Sequence, residues 1–283
     1  MTRTLPLDQA DGLRRLFAPS HRCIVPVVSS PFVAFSGVML ERLTTAFGEH
    51  GCHTLLIDAA ERASEPSEQA WFGLADCIEP LSDSVSYLAA RGLALRHVDA
   101  AGSARRFLDA VTAAAPQCDV LLVHASAAEL CRLFAPDRHA GASDAHAHAH
   151  AHSHAAAHAA AAAPCRPLLL ADDHPASVTH AYAAMKLLSG RAGLFVHDLL
   201  LCAAAQSPRT ERIAKQLATC ADDFLGAALG DWAHVDPATD PTAPPSADVR
   251  RLVRERLRAG PGTPDGRGRP AAAAASVAIG AVR

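Results

Sequence analysis

Short apolar runs alternate with stretches carrying an apolar residue every third or fourth position through most of this chain. Residues 23–28 (CIVPVV) read as a buried strand and residues 38–50 as a helix. A second strand over 54–57 follows the turn at Gly51 and ends at Asp58. Residues 93–98 suggest a third strand, 107–114 a helix, and 120–123 a fourth strand that is short and wholly apolar. Further strand candidates are 167–170, 194–196 and 199–202, with a helix over 177–188 among them. Strands this short and apolar, alternating with helices, predict a doubly wound α/β fold whose mostly parallel sheet is covered on both faces.

Ahead of the first strand, residues 6–17 have the pattern of a short helix. Asp8 is placed to cap it and Asp11 sits at N3. Ala10, Leu13 and Phe17 fall on one face, with Leu16 beside them. Gly12 costs about 1 kcal/mol relative to alanine, so this helix is expected to need a partner surface. Residues 139–164 change abruptly to alanine and histidine and hold seven of the 16 histidines: 139, 146, 148, 150, 152, 154 and 158. Such a tract reads as a solvated low-complexity insertion between core elements. Its i, i+4 set (His146, His150, His154, His158) is also the spacing by which one helix face binds a transition metal, a weaker reading. After a proline-rich stretch, residues 247–258 form an amphipathic helix, with Val249, Leu252, Val253 and Leu257 inward and the arginines outward. Residues 260–270 read as a linker, and 261–283 as a flexible tail.

Composition narrows the function. Half of the 283 residues are hydrophobic and 19% are charged, as in ordinary globular proteins. The net charge of -3 gives no reason to expect a nucleic-acid partner. From residue 246 onward there are eight arginines against three acids, a local surplus that admits at most a weak contact with an anionic membrane surface. The eight cysteines include no C-x-x-C pair, and no charged-then-apolar leader opens the sequence, so a cytoplasmic protein with reduced thiols is expected. Only two lysines occur, Lys186 and Lys215, and none lies in the first 185 residues. Asp172 and Asp173, after an apolar run, read as a turn.

Four segments resemble one family. The course from Ile24 to Asp58 has the outline of a P-loop ATPase opening. The run from His174 to Ser189 (HPASVTHAYAAMKLLS) is similar to the "proline, Ser/Thr, then D-A-Y-x-x-x-K-x-L" segment of the MinD/ParA family, in its flagellar FlhG (FleN) branch. Residues 221–226 and 229–235 resemble the same branch's "A-D-R-F-L … L-x-x-x-G-x-I-P" ending. Asp8-Gln9-Ala10-Asp11-Gly12-Leu13-Arg14 matches the D-Q-A-x-x-L-R motif by which those proteins contact FlhF, a signal-recognition-type GTPase. The resemblance covers roughly residues 7 to 260 without the insertion. It implies a P-loop NTPase (MinD/ParA-like) topology, with residues 1–20 as a partner-binding helix. The α/β domain would comprise 21–138 and 165–260, interrupted by the insertion at 139–164.

The departures bear on activity. The family loop G-K-G-G-V-G-K-T-T aligns with residues 30–38, so Ser30 opens the loop and Pro31 replaces the signature lysine. Ser36 then replaces the phosphate-binding lysine and Gly37 the Mg²⁺-binding threonine. Such loops work because glycines let backbone N–H groups turn inward around the phosphates while a lysine neutralises the oxygens. Asp58 remains, but the switch aspartate two residues later is Ala60, the aspartate ending the fourth strand is His124, and the base-contacting asparagine is Cys202.

The resemblance therefore implies a pseudo-ATPase without ATP or magnesium as cofactor. It would bind an FlhF-type GTPase through Asp8, Gln9, Ala10, Leu13 and Arg14, stimulate GTP hydrolysis there, and regulate flagellar number or placement. Basal-body switch proteins and a flagellar transcription activator are further partners implied by the family, with peripheral recruitment to the membrane or cell pole. Two rivals remain: a working ATPase in which Ser29, Ser30, Ser36 and Gly37 cup a phosphate with Lys186 supplied from afar, and a metal-handling protein built on the histidine tract.

Overall fold

The computed structural model describes residues 22–68, 73–134, 165–204 and 206–258. The expected helix over residues 6–17, the His/Ala tract and the tail lie outside the described residues. Eight strands form one sheet: β1 (Cys23–Val28), β2 (Thr54–Asp58), β3 (Glu79–Ser82), β4 (Val85–Ala89), β5 (Val120–Ala125), β6 (Leu168–Asp172), β7 (Val196–Cys202) and β8 (Ala228–Val235). Their spatial order is β3-β4-β2-β5-β1-β6-β7-β8, parallel throughout except for the β3–β4 pair at one edge. The described residues hold six α-helices: α1 (Ser36–Gly48), α2 (Arg105–Ala114), α3 (Ala127–Phe134), α4 (Pro175–Ala192), α5 (Arg209–Leu225) and α6 (Ala247–Arg258).

The central strands are apolar on both faces because both faces are covered. One core joins Leu121, Val123 and Leu169 of the sheet to Phe107, Leu130, Met185, Leu188 and Leu217 from α2 to α5. The other joins Val25, Val27, Leu122 and Leu170 to Met39, Leu43 and Phe47 of α1 and to Leu252 and Val253 of α6. Helix α4 begins with Pro175 at its first turn and ends at Gly193, whose φ of +67° is a left-handed turn that glycine accepts without a Cβ penalty. Among the described residues, no helix is long and apolar enough to cross a membrane.

The α/β class with a mostly parallel sheet is observed as expected, with three corrections among the elements. Residues 93–98 are not a strand: Leu93–His97 form a 3-10 helix that starts after Gly92 and buries Leu93 and Ala94. The strand beside β2 is instead β4, fed by the exposed edge strand β3. The two candidates at 194–196 and 199–202 are one strand, β7. Helices α3 and α5 and strand β8, unassigned from pattern alone, complete the layers.

Two arginines fix the far side of the domain. Arg42 on α1 is buried and donates to four backbone carbonyls of the proline-rich loop, with Nη1 reaching Pro241 O (3.1 Å) and Ala243 O (2.6 Å) and Nη2 reaching Thr239 O (3.2 Å) and Asp240 O (2.5 Å). Arg256 corrects the expectation that every arginine of the last helix points outward. It is buried against β7, where Nη2 lies 2.7 Å from Asp198 Oδ2. The others are largely committed to the domain: Arg250 grips the Glu49 carboxylate (2.7 and 2.8 Å), and Arg251 pairs with Asp231.

Candidate functional site

Ligands of open α/β sheets bind beyond the carboxyl ends of the strands, where connections diverge to the two sides. Here that place is the end of β1, flanked by β5 and β6, and the segment there is loop 29–35 leading into α1. The loop folds on itself. Ser29 N–H donates to Ala125 O (2.8 Å), Phe32 N–H to Ser30 Oγ (3.3 Å) and Val33 N–H to Ser30 O (3.4 Å). Pro31 has no N–H to give. Ser30 is buried as the hub of this turn, and Val33 is buried beneath it in the α1-side core.

The bulky loop side chains point the other way. Phe32 and Phe35 are about half exposed (48% and 51%). The Phe32 ring meets the His180 ring of α4 edge-on, with centroids 5.8 Å apart. Burial holds the His180 imidazole below its ordinary pKa, so the neutral ring is favoured there. Ser36 and Gly37 open the first turn of α1, which has no side-chain cap. A Cβ at Gly37 would meet nothing within 4 Å, so no close approach demands glycine at that position. Lys186, the lysine in the rival ATPase reading, is exposed on α4. It stands six residues past His180, about 9 Å further along the helix and roughly 120° around its axis.

Parallel pairing sets Asp58 of β2 directly beside His124 of β5, although 66 residues separate them. Asp58 Oδ1 lies 2.9 Å from His124 Nδ1 and also accepts the Ala60 N–H (3.2 Å). His124 Nε2 is buried with no partner among the described residues. Tyr87 of β4 interacts with the same carboxylate. Burial first, and then the Asp58 charge, push the Tyr87 hydroxyl above the ordinary phenol range, with a hydrogen bond to Ser64 opposing them. This cluster latches the ends of β2, β4 and β5 together and uses Asp58 for internal contacts. Cys202 ends β7, in register with Asp172 of β6 and Val235 of β8. Burial, reinforced by Asp172, Asp236 and Asp173, pushes its thiol up to about 11, so it is protonated and inert at neutral pH.

The fold thus places Ser30, Pro31, Ser36 and Gly37 in one loop-and-helix start and brings Asp58, Ala60 and His124 together. Cys202 lies two strands from β1. Asp8, Gln9, Ala10, Leu13, Arg14 and the histidine tract lie outside the described residues. Among the described residues no group of three His, Cys, Asp or Glu side chains could hold a metal ion. Sequence reasoning gave no role to Tyr87 or to the Phe32–His180 contact. The available hint was that His180 stands where the resembled D-A-Y segment has its aspartate.

No protein-family model matches the chain, and no curated protein matches its sequence. Among solved structures, it is similar to the MinD cell division protein of Aquifex aeolicus at 13% identity, over 83% of this chain and 96% of that one, with a TM-score of 0.47. A putative plasmid partition protein of Borrelia burgdorferi, bound to AMPPNP, is 9% identical over 84% and 97% of the two chains, with a TM-score of 0.49. Cobyrinic acid a,c-diamide synthase of Mycobacterium smegmatis is 12% identical over 83% and 94%, with a TM-score of 0.48. These likenesses concern the course of the backbone, and the residue roles described above do not depend on them.

Proposed function

We propose that this chain is a MinD/ParA-type pseudo-ATPase that works by binding, as a regulator of flagellar number or placement. The observation that carries the loss of nucleotide is loop 29–35. Three of its amides are spent inside the protein, Pro31 has none, and Val33 fills the space beneath. A triphosphate needs inward amides and a lysine, and with its magnesium it needs a free carboxylate. Asp58 already holds His124 and Ala60. The residues present do not fit ATP and Mg²⁺, and no hydrolytic step is assigned to them.

The binding half of the proposal rests on the sequence motif. Gln9 and Arg14 are the polar groups that would reach an FlhF-type GTPase, Leu13 the apolar anchor and Asp8 the cap, with stimulation of the partner's GTP hydrolysis as the consequence. Without an ATP switch, the protein would act as a cytoplasmic monomer or adaptor and reach the membrane or pole through its partner. The second reading, an ATPase with a divergent loop, draws on the uncapped first turn of α1 and the retained Asp58; it lacks a lysine at the loop.

A pull-down with FlhF tests the partner. The intact chain is expected to retain it, and the Gln9→Ala, Leu13→Ala variant to lose most of it, on the order of tenfold or more in recovery for a lost anchor worth roughly 1.5 kcal/mol or above. Equal recovery by both chains would break the link to flagellar control.

A further inference from the structure

A cavity of about 480 Å³ opens between the first turns of α4 and α5, behind the end of β6. It lies on the sheet face that carries α4 and α5, whereas Asp58 and His124 fall on the alternate strand positions, those of the α1-side core. None of the residues argued above to hold or lose a nucleotide lines it. We propose that this cavity is a binding site for a small organic anion with an oxyanion head, phosphate or carboxylate, on an apolar body.

The site is a groove open to solvent, with six of its eight lining residues exposed, and its volume falls in the range of about 300–1,000 Å³ of small-molecule sites. Val178 of α4 and Ile213 of α5 supply apolar wall, and both belong to the core packed against this sheet face. Polar groups stand at one side: Arg209, Arg212 and Gln216 from successive turns of α5, with Asp173 opposite. The charged lining residues are one carboxylate and two guanidiniums, so the cavity carries a net charge of +1, which favours an anion over a neutral ligand.

The two arginines are not equivalent. Arg209 Nη1 is 3.6 Å from Asp173 Oδ2, a loose contact that neutralises the aspartate while leaving most guanidinium donors unused. Arg212 makes no hydrogen bond or ion pair among the described residues. A guanidinium presents donors in a fork that matches a carboxylate or phosphate edge. An anion seated on Arg212 would keep its body against Val178 and Ile213, and Gln216, one turn further along α5, offers a neutral amide to a second oxygen. The ligand's apolar body is what separates this site from a surface arginine that attracts any anion.

Isothermal titration of the full chain at low ionic strength tests the site, with phenyl phosphate, phenylacetate, inorganic phosphate and neutral benzyl alcohol as probes. At least one aromatic anion is expected to bind saturably at one site and about tenfold more tightly than inorganic phosphate, the gain given by burying its ring. Comparing phenyl phosphate with phenylacetate assigns the head group. Arg212→Ala is expected to weaken the preferred anion about tenfold, with Arg212→Lys in between, since a charge without the fork remains. Arg212 is exposed, so these variants should keep the parent's thermal midpoint. Absence of saturable binding by both aromatic anions, equal affinity in Arg212→Ala, or benzyl alcohol binding as tightly as the anions would overturn the proposal.

Discussion

Arg256→Ala is expected to destabilise the domain by about 3–5 kcal/mol, the typical result of removing one member of a buried ion pair. The Arg256 and Asp198 side chains are 6% and 1% exposed, and truncation would strand the carboxylate in the sheet. Its remaining support is the Asp231 N–H, 3.0 Å from Oδ1, with Arg166 nearby. Burial already dominates there, pushing the Asp198 carboxyl up despite the pull of Arg256 and Arg166. The carboxylate also lies so close to β8 that a Cβ at Gly230 would stand 2.9 Å from Asp198 Oδ1, so glycine is what fits there. The pair is also imperfect: Nη1 donates to Arg166 O (2.9 Å), while Nη2, close to Asp198, is poorly aligned for a hydrogen bond and Nε has no partner among the described residues. Replacing both partners together, as Asp198→Leu with Arg256→Met, should therefore cost less than Arg256→Ala alone. Urea unfolding of the three chains measures this, and equal costs for the single and double replacements would contradict it.

Acidification is the second large effect. His197 of β7 is fully buried, and burial holds its imidazole down to about 4, against a partial upward pull from the Leu194 carbonyl. The Ser189 hydroxyl donates its one proton to Leu194 O (3.2 Å) and so accepts from His197 Nε2–H at 3.2 Å. That leaves Nδ1 buried with no partner among the described residues, and the N–H made by a proton added there would have no acceptor. An unfolded histidine titrates near 6.5. The folded state binds the proton less readily, so this stabilisation is complete above about pH 6.5 and lost as pH falls towards 4. The loss is about 2 kcal/mol by pH 5 and about 3 kcal/mol by pH 4. Unfolding free energies across that range should fall less steeply in His197→Gln than in the parent chain. Parallel slopes would assign the acid sensitivity elsewhere.

Much of this architecture was legible because the physics is local. β1, β5 and β6 are runs of Val and Leu buried on both faces, and α4 announces itself by Pro175 at its start and Gly193 at its end. The misreading at 93–98 has an equally local cause: Leu93 and Leu95 alternate like a strand, yet Leu95 is exposed and the backbone coils after Gly92. β3 gave no signal, since all four of its residues are exposed. Long-range contacts were not legible at all. Arg42 binds backbone carbonyls about 200 residues away, and carbonyls leave no trace in residue type. Asp58 and His124 were each singled out from sequence, but only the β2–β5 register makes them a pair. Arg256 sits in a helix rich in arginine, where pattern alone assigns it to solvent.

The central claim is that the loop after β1 no longer grips a triphosphate. Isothermal titration of the full chain with ATP and Mg²⁺ tests it most directly. No saturable heat into the millimolar range, on the order of 4 kcal/mol of binding free energy or less, is the expected result. Stoichiometric micromolar binding, equivalent to about 8 kcal/mol, would contradict it.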